Sequence, residues 1–232
     1  MQTRRPDPAP TERKESMTVE DPDNRLVRRL VDRMLEDRYS VAAREVEQLI
    51  EATYQVIASS GSIDPPVRDI LRAANLSTPA FYRHFRSKDE LHLLVWDRGC
   101  RILAAYLERR MARTTDPVAQ IRTWIEGVMR QAADPQTSDR TRPFTVGSAA
   151  MVLKFPIECA DSLALLIDPL TRAVLAAMAA GTCSSPDPER DARVIYDYVF
   201  AHLRTVLIYP ELSTKQTTDH LVDFAFRALQ IT

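Results

Sequence analysis

From Asn24 onward the chain alternates stretches of helical periodicity with short polar breaks. Leu26, Val27, Leu30, Val31, Met34 and Leu35 form a helical stripe with Arg25, Arg28, Arg29 and Arg33 among them, which predicts an additional amphipathic helix over 24–40. Val46, Leu49, Ile50, Thr53 and Ile57 recur at i, i+3, i+4, i+7 and i+11, so a second helix is expected from about Val41 to Ser59, stopped by Gly61. Asp64 reads as an N-cap with Pro65 at the first helical position, where a missing N–H costs nothing. That predicts a short helix ending at Ala74. Ser77 caps the next, from Thr78 to about Phe85, and Ser87 with Glu90 forms a capping box for a long helix to about Arg113.

Four more elements follow. Asp116-Pro117 opens a helix to near Ala133, with Val118, Ile121, Trp124, Ile125 and Val128 inward. Residues 141–183 are nearly uncharged, with Pro156 and Pro169 as boundary or kink points. Asp187-Pro188-Glu189 starts a helix to about Tyr209, and a last one is expected over Thr218–Leu229. Residues 1–23 are rich in Pro, Asp, Glu, Arg and Thr and predict a disordered tail, because they cannot bury enough surface to offset ordering.

Composition excludes several classes. Only 5 of 232 residues are glycine, against a usual share of roughly 7%, and Asn-Gly and Asp-Gly hairpin turns are missing. The expected fold class is all-α. No apolar run approaches the ~20 residues of a membrane span, and no apolar stretch follows the N-terminal charges as in a secretory signal. Cys100, Cys159 and Cys183 form no C-x-x-C pair, which points to a reducing, cytoplasmic setting without a cysteine metal site. The four histidines lack metal-ligand spacing, and no Gly-rich phosphate loop or G-x-S-x-G nucleophile motif occurs. Neither a metal, a cofactor nor an enzymatic activity is expected.

The formal charge is −1, but its distribution is uneven. Pro65–Lys88 holds five cations (Arg68, Arg72, Arg83, Arg86, Lys88) and one anion, Asp69, leaving −5 for the rest. This window also contains two short helices joined by Asn75-Leu76-Ser77, which is helix-turn-helix geometry. A tight turn there needs one left-handed residue, and Asn is the best choice after Gly. On the second helix Phe81 and Phe85 read as core. Thr78, Pro79, Tyr82, Arg83 and His84 are left outside, with Ala80 small enough for close approach. A major groove about 12 Å wide admits such a helix, its start facing base edges while Tyr82, His84 and Lys88 reach phosphates. Arg68 is placed to donate to a guanine.

Residues 44–91 resemble the DNA-binding domain of the tetracycline-repressor (TetR) family of bacterial regulators. The resemblance is carried by V-R-D-I-L-x-A-A-N-L-S-T-P-A-F-Y-R-H-F-x-S-K-D-E-L over Val67–Leu91. It implies a helix-turn-helix three-helix domain over 41–91 and a larger helical ligand-binding and dimerisation domain over 92–232. It implies a homodimer on a palindromic operator in double-stranded DNA, with a small molecule moving the two reading helices out of register. By that resemblance Arg68 falls on a base contact, Thr78, Pro79 and Ala80 on the start of the recognition helix, and Tyr82, His84 and Lys88 on phosphate contacts. Two positions depart from the family: Asn75 replaces the usual turn Gly, and Pro66 stands where a Thr or Ser often contacts phosphate.

The last two predicted helices are apolar over more than one stripe. Ile195, Val199, His202 and Val206 share one face and Phe200, Leu203 and Leu207 another, while Leu221, Phe224 and Ala225 are opposed to Val222 and Phe226. Such helices need two surfaces to pack on, which fits a four-helix dimer interface. A ligand pocket is expected in the middle region, lined by Trp124, Met129, Phe144, Met151, Phe155 and Tyr196. The low charge of 141–183 favours an apolar or bulky effector. The expected function is a ligand-responsive DNA-binding regulator, a repressor. The alternatives are a helical protein-interaction module and a DNA-binding protein without sequence preference.

Overall fold

The computed structural model describes residues 22–231 except Ile63, and their side chains except those of residues 22–24 and Gln136. The expected tail is therefore outside the described residues up to position 21. The elements are α1 (Pro22–Ser60), α2 (Val67–Ala74), α3 (Thr78–His84), α4 (Lys88–Met111), α5 (Pro117–Met129), a 3-10 turn (Arg130–Ala132), α6 (Pro135–Lys154), α7 (Pro156–Ala179), α8 (Pro188–Ile208) and α9 (Thr214–Ala228). The protein is all-α. The two helices expected over 24–40 and 41–59 are a single helix, α1.

The chain divides into two compact units, Met1–Ala43 and Arg44–Thr232. In the first, Leu26, Val27, Leu30, Val31, Met34 and Leu35 are exposed.

In the second unit local chemistry explains most helix starts. Ser77, Ser87, Asp116, Asp134, Asp187 and Ser213 each accept a backbone N–H of the first turn, satisfying donors that a helix leaves orphaned. Ser213 makes α9 begin four residues before the expected Thr218, at Thr214. Pro156 marks the α6–α7 boundary as expected. Pro169 takes the other expected place, buried inside α7, as Pro143 lies inside α6. Trp124 Nε1 donates to the Leu166 carbonyl at 3.0 Å, within the turn whose ladder Pro169 interrupts. α7 has the length and composition to cross a membrane, which corrects the expectation that no apolar run does so. Its Leu163, Leu166, Leu170, Ala173, Val174 and Ala177 are buried in the core.

Two apolar clusters result. The larger joins α4, α5, α7, α8 and α9 around Trp124, Leu107, Leu170 and Leu203. The smaller joins Leu49, Ile50, Ile70, Leu71, Phe81, Phe85, Leu91 and Val95, and so holds α2 and α3 on α1 and the start of α4. Phe144 of α6 packs against both.

Candidate nucleic-acid interface and ligand cavity

α2 and α3 meet at Asn75, whose φ of 52° and ψ of 42° are left-handed. Its N–H donates to the carbonyls of Arg72 and Leu71, closing α2. An Asn tolerates this region better than other side chains except Gly. Two residues later Ser77 Oγ accepts the Ala80 N–H at 3.3 Å and starts α3. Both caps are therefore local. The start of α2 differs from expectation: Pro66 occupies the cap position without a side-chain bond, and the Asp69 and Ile70 N–H groups donate to its carbonyl. Asp64 is instead drawn to Lys88 Nζ and lies 3.3 Å from His92 Nδ1. The capping box is also altered, since Glu90 accepts the Arg86 N–H at 2.7 Å while Ser87 accepts that of Glu90.

Phe81 and Phe85 are buried, with ring centroids 5.4 Å apart. Thr78, Pro79, Tyr82 and Arg83 are exposed on α3, and Tyr82 retains 60% of its accessible surface. Arg68 on α2 is freer still, with 80% of its side chain exposed and a 3.7 Å contact to Asp69. Ala80 was expected on this outer face and is instead 3% exposed. A seven-residue helix clamped between α2 and the core turns the position next to Phe81 inward as well.

Two of the expected phosphate contacts are tied within the protein. His84 Nε2 is 2.5 Å from Glu45 Oε2, and Arg83 reaches the same carboxylate at 3.4 Å. That hydrogen bond from His84, with the Arg83 charge beside it, holds the Glu45 carboxyl below its usual range. Lys88 pairs with Asp64, and its hydrogen bond and charge lower the Asp64 pKa against the effect of burial. Glu45 and Asp64 are far from the basic window in sequence or outside its edge. Adding them to that set takes its formal charge from +4 to +2.

A cavity of about 780 Å³ lies among α1, α4, α6, α7, α8 and the 3-10 turn that follows α5. Of the six residues expected to line a pocket, Phe144 and Tyr196 do so. Trp124 and Met129 are wholly buried in the core, Phe155 packs against it, and Met151 borders a separate crevice with His92 and Trp96. Phe200, read from the sequence as part of an interface face, also lines the cavity, as do residues the periodicity did not single out: Tyr54, Trp96, Leu103, Tyr106 and four arginines, Arg98, Arg109, Arg130 and Arg140. Cys100 also lines it, and burial pushes its thiol up to about 12.

Residues 49–95 match the family described as bacterial regulatory proteins, tetR family. Residues 49–95 are thus a DNA-binding domain of the tetR type. No curated protein matches it in sequence, but solved TetR-type structures share its fold. The fatty acid degradation regulator FadR from Bacillus halodurans is 15% identical at a TM-score of 0.65, covering 81% of this chain and 97% of its own. A putative TetR-family regulator from Rhodococcus sp. is 20% identical, with TM-score 0.65 and coverages of 80% and 98%. FadR from Bacillus subtilis, in complex with stearoyl-CoA, is 13% identical, with TM-score 0.65 and coverages of 78% and 98%. At such identities the likeness establishes the architecture alone: an N-terminal helix-turn-helix followed by a helical body. The tetR-type helix-turn-helix at residues 49–95 is thus the part of this chain whose family is established.

Proposed function

We propose that this TetR-family protein is a ligand-responsive repressor that binds a palindromic operator as a homodimer in the cytoplasm. The observation that carries the reading is the pairing of a rigidly capped turn at Asn75 and Ser77 with an outward set of Arg68, Thr78, Pro79, Tyr82 and Arg83. α3 enters the major groove, Arg68 and the start of α3 meet base edges, and Tyr82 and Arg83 meet the backbone. His84 and Lys88, bound to Glu45 and Asp64, position α3 and the start of α4. Residues 41–91 serve as the reading domain and 92–232 as the effector and dimer domain.

Dimerisation is assigned to the outer side of α8 and α9. Of the faces expected there, Ile195, Val199, Leu203, Val206, Leu221 and Ala225 are spent on the chain's own core. What remains outside is Val194, Tyr198, His202 and Phe224, with Tyr198 stacked 4.6 Å from Phe224 and 4.3 Å from His202. An aromatic stripe across two neighbouring helices suits a second copy of itself. The effector site is the 780 Å³ cavity, within the ~300–1,000 Å³ range of small-molecule sites. The stearoyl-CoA complex of the Bacillus subtilis FadR shows that a protein of this architecture takes a ligand.

The test is selection of bound duplexes from the fragmented genome of the source organism, using purified protein at near-physiological salt. Enrichment of one short palindrome, at one dimer per site, is the expected result. Uniform recovery of all fragments, competed equally by any DNA, refutes sequence-specific repression.

A further inference from the structure

Besides Arg98, three arginines from separate segments line the cavity. Arg109 stands near the end of α4, Arg130 opens the 3-10 turn, and Arg140 is early in α6, yet all three line the same space. Gly127 accounts for part of this convergence. A Cβ there would stand 2.6 Å from Leu107 Cδ2, with Tyr106 and Arg110 next nearest, so a larger residue would have to displace the Leu107 side chain where α5 meets the end of α4. Arg130 follows one turn later, and Gln131 Nε2 donates back to the Gly127 carbonyl at 3.3 Å.

No carboxylate among the described residues lies within salt-bridge distance of Arg109, Arg130 or Arg140. Arg98, towards α1, is by contrast held by Glu47 at 2.7 Å. Glu51 and Asp134 also line the cavity; the Asp134 carboxylate is engaged as the α6 cap by Thr137 N at 2.9 Å and Thr137 Oγ1 at 2.7 Å. The apolar part of the wall includes Leu103, Tyr106, Phe200, Phe144 and Trp96. All three arginines are solvent-exposed at the cavity wall, where their forked N–H donors are open to an incoming anion.

We propose that the cavity binds an elongated apolar molecule ending in one anionic group, a carboxylate or a phosphate. The anion sits among Arg109, Arg130 and Arg140, and the apolar body extends along Leu103, Tyr106 and Phe200 towards Trp96 and Phe144. This deepens the reading of the cavity as the effector site and replaces the expectation of an uncharged effector.

Dodecanoate, dodecyl phosphate and 1-dodecanol, each below its micellar concentration, test it on the full chain. Binding is followed by calorimetry and by the fluorescence of Trp96, which lines the cavity. The expected result is that at least one of the two anions binds about tenfold or more tightly than the alcohol, and the tighter of them identifies the head group. The triple variant Arg109→Gln, Arg130→Gln, Arg140→Gln is expected to lose this preference while keeping its affinity for dodecanol. Equal affinities for all three compounds, or an unchanged preference in the triple variant, overturns the proposal. Leu103→Trp, which fills the interior, should abolish binding of every probe; retention would place the anions on the surface and also overturns it. The effector reading fails separately. If dodecanoate binds as described but leaves operator binding unchanged at saturation, the site stands and regulation through it falls. If a neutral compound alone releases the operator, regulation stands and the anionic site falls.

Discussion

The ring of Tyr54 on α1 packs against that of Phe144 on α6, with centroids 5.2 Å apart and planes inclined by 49°. Tyr54 also donates its hydroxyl proton to the Val95 carbonyl of α4 at 2.8 Å, and burial pushes its pKa up to about 12. Both rings line the cavity, and α1 carries Leu49, Ile50 and Ala52 into the cluster that holds α2 and α3. On the proposed reading, whatever moves Phe144 presses on the helix that supports α2 and α3. Phe144→Ala is expected to leave operator affinity near that of the parent while effector-induced release is lost. Tyr54→Phe, which keeps the ring but not the donor, should lower stability by about 1 kcal/mol. Fluorescence anisotropy on labelled operator, with and without effector, measures the first effect and thermal melting the second. Full release by effector in Phe144→Ala would contradict this coupling.

Asn75 adopts a conformation that glycine holds without a Cβ penalty. Asn75→Gly should raise stability by a few tenths of a kcal/mol to about 1 kcal/mol, and Asn75→Val should lower it by about 1–2 kcal/mol. Urea titration of the two variants decides, and a stabilising Val would mean that the turn is not held where it is found.

Arg68 and Tyr82 are assigned different kinds of contact. Arg68→Ala should relax discrimination at particular base pairs by roughly 1–3 kcal/mol, whereas Tyr82→Ala should weaken binding to all sequences alike. Competition with single-base operator variants separates the two. Equal losses on every sequence for both variants would remove Arg68 from base reading.

Glu45 neutralises part of the surface proposed to meet phosphate, through Arg83 and His84. Glu45→Gln should steepen the salt dependence of binding to non-specific DNA by up to about one counterion and tighten it at low salt. An unchanged slope would show that Arg83 stays with position 45 in the complex.

His92 is 8% exposed, and its Nε2 has no hydrogen-bond partner in the protein. Burial lowers its pKa, outweighing the upward pull of Asp64 and Asp89, while Lys88 and Lys154 add to the lowering. The unfolded chain then takes up this proton first, near the ordinary histidine value of about 6.5. Its contribution is present above that pH and is lost as pH falls through the folded value. The lowered pKa of Asp64 gives a second loss, confined to the carboxylate range. Melting at pH 7.5 and 5.5 should therefore show a larger drop for the parent than for His92→Gln. Identical drops would mean that burial of His92 does not set this sensitivity.

The helix starts and the left-handed turn were legible in the residues because each depends on neighbours within four positions. Ser77, Ser87, Asp116 and Asp187 cap the helices they were expected to cap, and Asn75 closes α2. The misreadings follow from the same rule. Asp64 is a plausible cap by spacing, but Lys88, brought alongside by the fold, competes for its carboxylate. Glu45 enters the basic patch only because α3 packs on α1. Periodicity identified apolar stripes correctly, yet it cannot tell a stripe that meets another helix from one that borders a cavity. Trp124 and Met129 went to the core, while Arg109, Arg130 and Arg140 came together from three segments. Local hydrogen bonding is thus written in short sequence windows. The charge of a surface and the lining of a cavity are sums over distant segments, and only their packing decides them.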